Sequence, residues 1–240
     1  MRLATYRTGK SVILYDAHSV CDAESAPQIG PALFDPDAWR QRGRVVGEAP
    51  GRGASLFLSA GAEEWVLRHY RRGGMIARLS ERRYVWTGLE RTRAFREFQL
   101  TADLHAQGLP VPRPVAAGVT RHGLTYEAAL ITVRIPDARA LADLLLADEA
   151  DDELLQRVGA TIRRFHDAGL DHVDLNARNL LVDRGGKVWM IDLDRCRVRK
   201  AGRWQQANLE RLQRSLSRFC PQPESISHII RTAYDNATVA

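Results

Sequence analysis

The chain has 240 residues, 45% hydrophobic and 27% charged, with a formal net charge of +6. That length is ample for a buried core, as one large domain or two compact lobes, and the composition is that of an ordinary folded protein without low-complexity segments. No apolar run approaches the ~20 residues of a membrane-spanning helix and the N-terminus lacks a signal peptide's apolar segment, so a cytoplasmic protein is expected.

Cys21, Cys196 and Cys220 are odd in number and far apart, which suggests buried reduced thiols and argues against a disulfide framework or a zinc site. The positive charge is concentrated. Residues 40–96 hold thirteen Arg, no Lys and five acidic residues, a local charge of +8 that leaves the remainder of the chain at −2. Guanidinium forks on this scale favour phosphate or carboxylate partners, although a basic surface can also serve solubility alone. Trp65, Tyr70, Tyr84 and Trp86 interleave with the arginines, but no DNA- or RNA-binding motif accompanies them, and nucleic acid is not expected as a partner.

In chain order, residues 5–15 read as a hairpin around Thr8-Gly9-Lys10. Gly9-Lys10-Ser11 fails as a phosphate-binding P-loop because the required upstream glycine falls at Ala4. A short helix is predicted over residues 35–41. Val45 and Val46 then lead through Gly47-Glu48-Ala49-Pro50-Gly51-Arg52-Gly53 into a strand over residues 54–58. A strand, glycine-rich turn and strand can lay backbone N–H groups over phosphates, which makes Gly47, Gly51 and Gly53 candidate nucleotide contacts. The next strand covers residues 65–69, followed by Arg71-Arg72-Gly73-Gly74.

A helix is predicted over residues 92–105, with Phe95, Phe98, Ala102 and His105 on one stripe and Glu97 beside it. The β-rich run 130–135 suits a hinge between lobes whose backbone pairs with adenine, and a helix follows over residues 139–146. Leu154, Leu155, Val158, Ile162 and Phe165 recur at helical spacing, and Gly169 stands where a left-handed cap residue ends that helix. Beyond residue 194, a helix over residues 205–219 carries Leu209, Leu212, Leu216 and Phe219, and Ser225 is positioned to cap a final helix bearing Ile226, Ile229 and Ile230.

The chemistry concentrates between these helices. His172-Val173-Asp174-Leu175-Asn176-Ala177-Arg178-Asn179 fits the H-x-D-L-x-x-x-N pattern of a kinase catalytic loop. Residues 180–183 and 188–191 form a predicted hairpin about Arg184-Gly185-Gly186, followed by Ile191-Asp192-Leu193-Asp194. Antiparallel pairing places Asn179 and Asp192 at one end, with Asp174 just before the first strand. Two carboxylates and a carboxamide can then converge. In phosphoryl transfer the protein positions the nucleophile and neutralises phosphate charge through a hard cation, so Asp192 and Asn179 are candidate Mg2+ ligands and Asp174 the group that takes or orients the acceptor's proton. The bland alternative is a polar hairpin whose Asp and Asn residues make only turn hydrogen bonds.

With Gly51-Arg52-Gly53, Leu67-Arg68-His69-Tyr70-Arg71-Arg72-Gly73-Gly74, Thr92-Arg93-Ala94-Phe95, Leu109-Pro110-Val111-Pro112 and the hairpin in view, the chain resembles the lipopolysaccharide (Kdo) kinase family of the protein-kinase-like superfamily along almost its whole length. The resemblance implies an α+β, two-lobe fold, with a β-rich N-lobe over residues 1–135 and an abbreviated helical C-lobe over residues 136–240. It implies ATP and Mg2+ as cofactors. It further implies phosphorylation of the 4-hydroxyl of a Kdo sugar (3-deoxy-D-manno-octulosonic acid) on a lipid A precursor, at the cytoplasmic face of the inner membrane of a Gram-negative bacterium. In such folds a basic strand residue contacts the α- and β-phosphates. No Lys lies between Lys10 and Lys187, so Arg68 is the candidate substitute and Glu97 its ion-pair partner. Arg71 and Arg72 are candidate substrate contacts, and an Arg-rich surface matches an anionic lipid and an anionic membrane.

Departures from ordinary protein kinases narrow the reading. Val173 replaces the Arg of H-R-D, Asp194 replaces the Gly of D-F-G, and no A-P-E triplet follows, so activation-loop control and a peptide substrate are not expected. A heptose kinase or an aminoglycoside-type phosphotransferase is the alternative within the fold, although the latter calls for an acidic pocket. A catalytically dead scaffold is the alternative from another class, raised by Arg68 in place of Lys. Oligomeric state is not legible.

Overall fold

A computed structural model describes residues 1–21, 28–49, 55–71 and 83–237. The protein is α+β and divides into two compact units, Met1–Ala102 with Arg113–Arg134, and Asp103–Pro112 with Ile135–Ala240. The segment 103–112 and Ile135, expected with the N-lobe, therefore group with the second unit. Hydrogen bonding explains the segment's placement: the Met190 N–H donates to the Pro110 carbonyl at 2.9 Å, and Val111 is fully buried.

The first unit is built on an eight-stranded antiparallel sheet. Its strands are β1 (Leu3–Thr8), β2 (Ser11–Asp16), β3 (Val45–Ala49), β4 (Ser55–Ala60), β5 (Glu63–His69), β6 (Tyr84–Val85), β7 (Pro114–His122) and β8 (Thr125–Val133). They lie in the order β1-β2-β7-β8-β5-β4-β3, with β6 also paired to β8. The hairpins β1–β2, β4–β5 and β7–β8 each turn on two residues, the first a glycine at positive φ (Gly9, Gly61, Gly123), the geometry that matches strand twist. The run expected as a hinge, residues 130–135, lies mostly inside β8, where Leu130 to Thr132 pair with both β5 and β7.

Alternation along the strands gives the sheet two apolar faces. Ile13, Val115, Ala129 and Ile131 point to one side, against Leu33, Phe34 and Trp39 from the stretch that holds the helices α1 (Ala17–Cys21) and α2 (Pro36–Gln41). Asp35 caps α2 by accepting from the Asp37 N–H at 3.0 Å, and Trp39 meets Trp65 edge-on with ring centroids 6.1 Å apart. Leu14, Ala117, Val119, Ala128 and Leu130 point to the other side, against Phe95 and Phe98 of α3 (Arg93–Ala106).

The second unit contains β9 (Arg139–Ala140), α4 (Leu141–Leu146), α5 (Asp152–Asp167), β10 (Leu170–Asp171), β11 (Leu180–Val182), β12 (Val188–Met190), β13 (Arg197–Val198), α6 (Arg203–Leu216) and α7 (Pro223–Asn236). Residues 139–140, expected as helix, pair instead with β11. Ser225, expected as a cap, lies inside α7. That helix starts at Pro223, whose fixed φ and missing N–H suit a first turn, and Gln222 makes no side-chain cap bond. Cys196 is buried and Cys220 half-buried, and the Cys21 side chain lies outside the described residues.

Candidate active site

The second unit sets up a loop and hairpin from the end of α5. Asp151 caps this helix by accepting from the Leu154 N–H at 2.7 Å, Leu154, Leu155, Val158, Ile162 and Phe165 are buried, and Gly169 ends it at φ 79°. The chain then runs through β10 into residues 172–179, an irregular loop bonded both within itself and by side chains of α6. Asn208 of α6 accepts from the His172 N–H at 2.9 Å and donates to the Asp171 carboxylate at 3.1 Å. One helix face further on, Ser215 Oγ accepts from the Ala177 N–H at 3.0 Å. Residues 208 and 215 stand seven apart, two turns on one stripe, so α6 braces both ends of the loop.

Asp171 is buried and also receives the Arg199 guanidinium at 3.0 Å. Burial pushes its carboxyl upward, but the bonds from Arg199, Asn208 and Arg197 outweigh burial and hold it below the usual carboxylate range. His172 is a tether. Its Nε2 lies 3.1 Å from the Ile191 carbonyl oxygen, to which a protonated Nε2 donates, and burial lowers the imidazole pKa below its ordinary value. A neutral, fixed ring joins the start of the loop to the residue before Asp192.

Within the loop, the side-chain amides of Asn176 and Asn179 donate to the Asp174 carbonyl at 2.9 and 3.0 Å, while the Asp174 side chain is exposed. The Ile191 N–H donates to the Asn179 carbonyl at 3.0 Å, extending the β11–β12 pairing and bringing Asn179 beside Asp192. At the hairpin's other end, Asp183 closes the turn by accepting from the Gly185 and Lys187 N–H groups and from Trp189 Nε1. Asp192 sits at φ 59°, in the left-handed region that costs a non-glycine residue energy and that Asp tolerates better than most. Such strain persists where the surroundings enforce it.

The donor chemistry fits a hard cation. The Asn179 nitrogen is committed to the Asp174 carbonyl, so the carboxamide oxygen is the atom of this side chain that could ligate a cation, together with the Asp192 carboxylate. Among the described residues no cluster of three or more His, Cys, Asp or Glu occurs. An oxygen pair of this kind suits Mg2+, which keeps waters and shares substrate phosphates instead of occupying an all-protein cage.

In the first unit, Arg68 of β5 and Glu97 of α3 form an ion pair, and the Tyr70 hydroxyl donates to the same carboxylate. Glu97 is buried, so it is not a surface charge of the helix. The Arg68 guanidinium lies 5.1 Å from the Tyr70 ring centroid, and burial followed by the Glu97 charge raises the Tyr70 phenol well above its ordinary range, keeping it a donor. Gly47 lies in β3 opposite Phe57, where a Cβ would meet that ring at 3.1 Å. Arg71 is exposed. Gly51, Gly53 and Arg72 lie outside the described residues.

Sequence reasoning missed Asn208, Ser215 and Tyr70. All three act by hydrogen bonds to distant segments, for which helical or strand periodicity offers no signal.

A loop that presents an exposed Asp, followed by a hairpin that presents Asn and a strained Asp, is the makeup of a phosphotransferase. The lipopolysaccharide kinase (Kdo/WaaP) family model matches residues 36–232, and the chain belongs to that family. A 3-deoxy-D-manno-octulosonic acid kinase of Xanthomonas oryzae pv. oryzae is 48% identical over 89% of this chain and 84% of its own length. Kinases of the same name from Vibrio parahaemolyticus and Vibrio cholerae are 41% identical (89% of this chain, 87% of theirs) and 44% identical (77% and 78%). A solved kinase structure from Cydia pomonella granulovirus aligns with TM-score 0.44 and 12% identity over 64% of this chain and 52% of that one.

Proposed function

We propose that the chain is an ATP-dependent Kdo kinase that phosphorylates the 4-hydroxyl of the Kdo residue of a Kdo-lipid A precursor in lipopolysaccharide core biosynthesis. The observation that carries this reading is the kinase loop and hairpin of Asp174, Asn179 and Asp192 in a chain 41–48% identical to kinases of that name over 89% of its length. In the reaction the acceptor hydroxyl oxygen bonds to the γ-phosphorus of ATP, the bond from that phosphorus to the β–γ bridging oxygen breaks, and the hydroxyl proton passes to the Asp174 carboxylate. The products are a phosphate monoester and ADP.

Asp192 and Asn179 are the residues that would hold Mg2+, which when bound offsets the negative charge of the donor's phosphates. Arg68, held by Glu97 and Tyr70, takes the phosphate contact usually given to Lys, and Gly47, Gly51 and Gly53 are the further nucleotide contacts. Arg71 and Arg72 are substrate contacts for the anionic lipid. Among the described residues no helix is long and apolar enough to cross a membrane. Peripheral attachment to the cytoplasmic face of the inner membrane, through the Arg-rich segment 40–96, accords with an acceptor that is itself a lipid.

The test offers purified protein and Mg·ATP a Kdo-lipid precursor, a heptosylated lipid and an aminoglycoside side by side. Transfer to the first, abolished by alkaline-stable substitution of its 4-hydroxyl, is expected. Preferential transfer to either of the others overturns the reading.

A further inference from the structure

A cavity of about 320 Å3 opens in the second unit beside the catalytic loop. Asp174, Arg178, Arg211, Arg214, Arg218 and Phe219 line it. Arg211 and Arg214 stand one turn apart on α6, and Arg218 follows one turn later just beyond its end, so the three share one face. Ser215, on that same face, holds the Ala177 N–H and thereby locks the stripe to the loop. Arg178 comes from the loop itself, its guanidinium 5.2 Å from the Phe219 ring centroid.

Elsewhere in this unit arginines are neutralised locally: Arg139 by Glu149, Arg157 by Glu153, Arg163 by Asp167 and Arg199 by Asp171. Among the described residues, none of Arg178, Arg211, Arg214 and Arg218 has a carboxylate within ion-pair distance. Four like charges around one concavity repel one another, and an oxyanion placed between them removes that repulsion while accepting paired N–H bonds from guanidinium forks. Asp174 opens onto the same space, so an anion held there brings the rest of its molecule to the proton acceptor.

We propose that this cavity is the acceptor's oxyanion subsite, in which Arg211, Arg214 and Arg218, with Arg178, hold a carboxylate or phosphate of the acceptor and so orient its hydroxyl toward Asp174. The acceptor's identity rests on the function proposed above; the preference for an oxyanion rests on the arginines alone. These residues determine specificity by rejecting neutral and cationic acceptors, and they are a different set from Arg71 and Arg72. The subsite takes either the carboxylate of a sugar acid or a phosphate of the lipid that carries it.

Arginine labelling by phenylglyoxal, read by mass spectrometry on the full chain, tests the subsite without turnover. Inorganic phosphate and free Kdo are each expected to protect Arg211, Arg214 and Arg218, while Arg203, exposed at the start of α6, labels as before. Unchanged labelling of the three overturns the proposal, whether or not the enzyme phosphorylates a Kdo lipid. Lack of transfer to that lipid with protection intact overturns only the assigned acceptor.

Kinetics provide the second measurement. All three side chains are exposed, so Arg211→Gln, Arg214→Gln and Arg218→Gln leave the core untouched. Each is expected to raise the acceptor KM about tenfold, the loss typical of one charged hydrogen bond, with the KM for ATP unchanged. An unchanged acceptor KM overturns the proposal. Acceptors lacking the sugar carboxylate or the lipid phosphates identify the anion: with the correct one removed, wild type and the triple variant lose their difference. If the difference survives both removals, the proposal fails.

Discussion

Asp174 contributes two separable things to the loop. Its backbone carbonyl accepts the Asn176 and Asn179 side-chain amides, and its carboxylate stands exposed. Asp174→Ala therefore keeps the loop's hydrogen bonds and removes only the carboxylate proposed to take the acceptor's proton. The expected outcome is a fall in kcat of about 10²- to 10⁴-fold with ATP affinity preserved, measured by steady-state kinetics beside nucleotide titration. A near-wild-type kcat would show that another group handles the proton. Arg68 and Glu97 call for a different experiment, because each is the other's partner and Tyr70 shares the carboxylate. Arg68→Ala and Glu97→Ala should each lower kcat/KM for ATP, and the double variant should lose no more than the worse single one. Additive losses would mean that Glu97 does not act through Arg68. Glu97→Ala should also cost about 1–3 kcal/mol of stability, since it leaves the buried Tyr70 hydroxyl without this acceptor.

At the scale of elements, the second unit depends on close contact between α5 and α7. A Cβ on Gly159 would fall 2.2 Å from the Ile230 carbonyl oxygen and 2.9 Å from the Tyr234 nitrogen, both backbone atoms of α7. Gly to Ala inside a helix ordinarily gains about 1 kcal/mol. Here the helices must separate to admit a methyl group, so Gly159→Ala is expected to destabilise by about 1–3 kcal/mol and to lower Tm. A rise in Tm would refute the close approach. The same helix pair carries a pH dependence. His166 is buried against Tyr234, 2.9 Å from its hydroxyl, and burial pulls its pKa from 6.5 down to about 4. The unfolded chain thus takes up the proton first as pH falls. Stability from this residue is complete above pH 6.5 and declines to about pH 4, an order of 3 kcal/mol in all. His172 acts in the same direction, while the depressed carboxyls of Asp16 and Asp171 matter only below pH 3.8. His166→Gln should flatten the stability profile between pH 6.5 and 4 in chemical denaturation; an unaltered slope would assign the dependence elsewhere.

For the molecule as a whole, the relevant property is the uneven distribution of charge. Residues 40–96 carry +8 in a chain of net +6. Attraction of exposed basic residues to an anionic bilayer is worth about 1 kcal/mol each and is screened over about 10 Å at 0.1 M salt. Sedimentation with vesicles containing anionic lipid should therefore weaken as ionic strength rises, and Arg71→Glu/Arg72→Glu should weaken it further while sparing nucleotide binding. Superimposable curves for wild type and variant would leave this segment as a solubilising surface.

Local pattern alone was enough for much of the fold. The apolar periodicity of residues 154–165 with Gly169 beyond it, the alternation around Gly9, and the strands flanking Gly185-Gly186 each draw on interactions within a few residues, which neighbouring side chains and backbone preferences decide. The kinase-like loop was legible for the same reason, since its residues are contiguous. Periodicity could not show that residues 139–140 pair as a strand, that Asn208 and Ser215 brace the loop from a helix 30 or more residues onward, or that Glu97 is buried between Arg68 and Tyr70. The arginines of α6 and Asp174 of the loop line one cavity only in the fold. Burial and the partners of a charge depend on segments far apart in sequence, and only the tertiary structure brings those together.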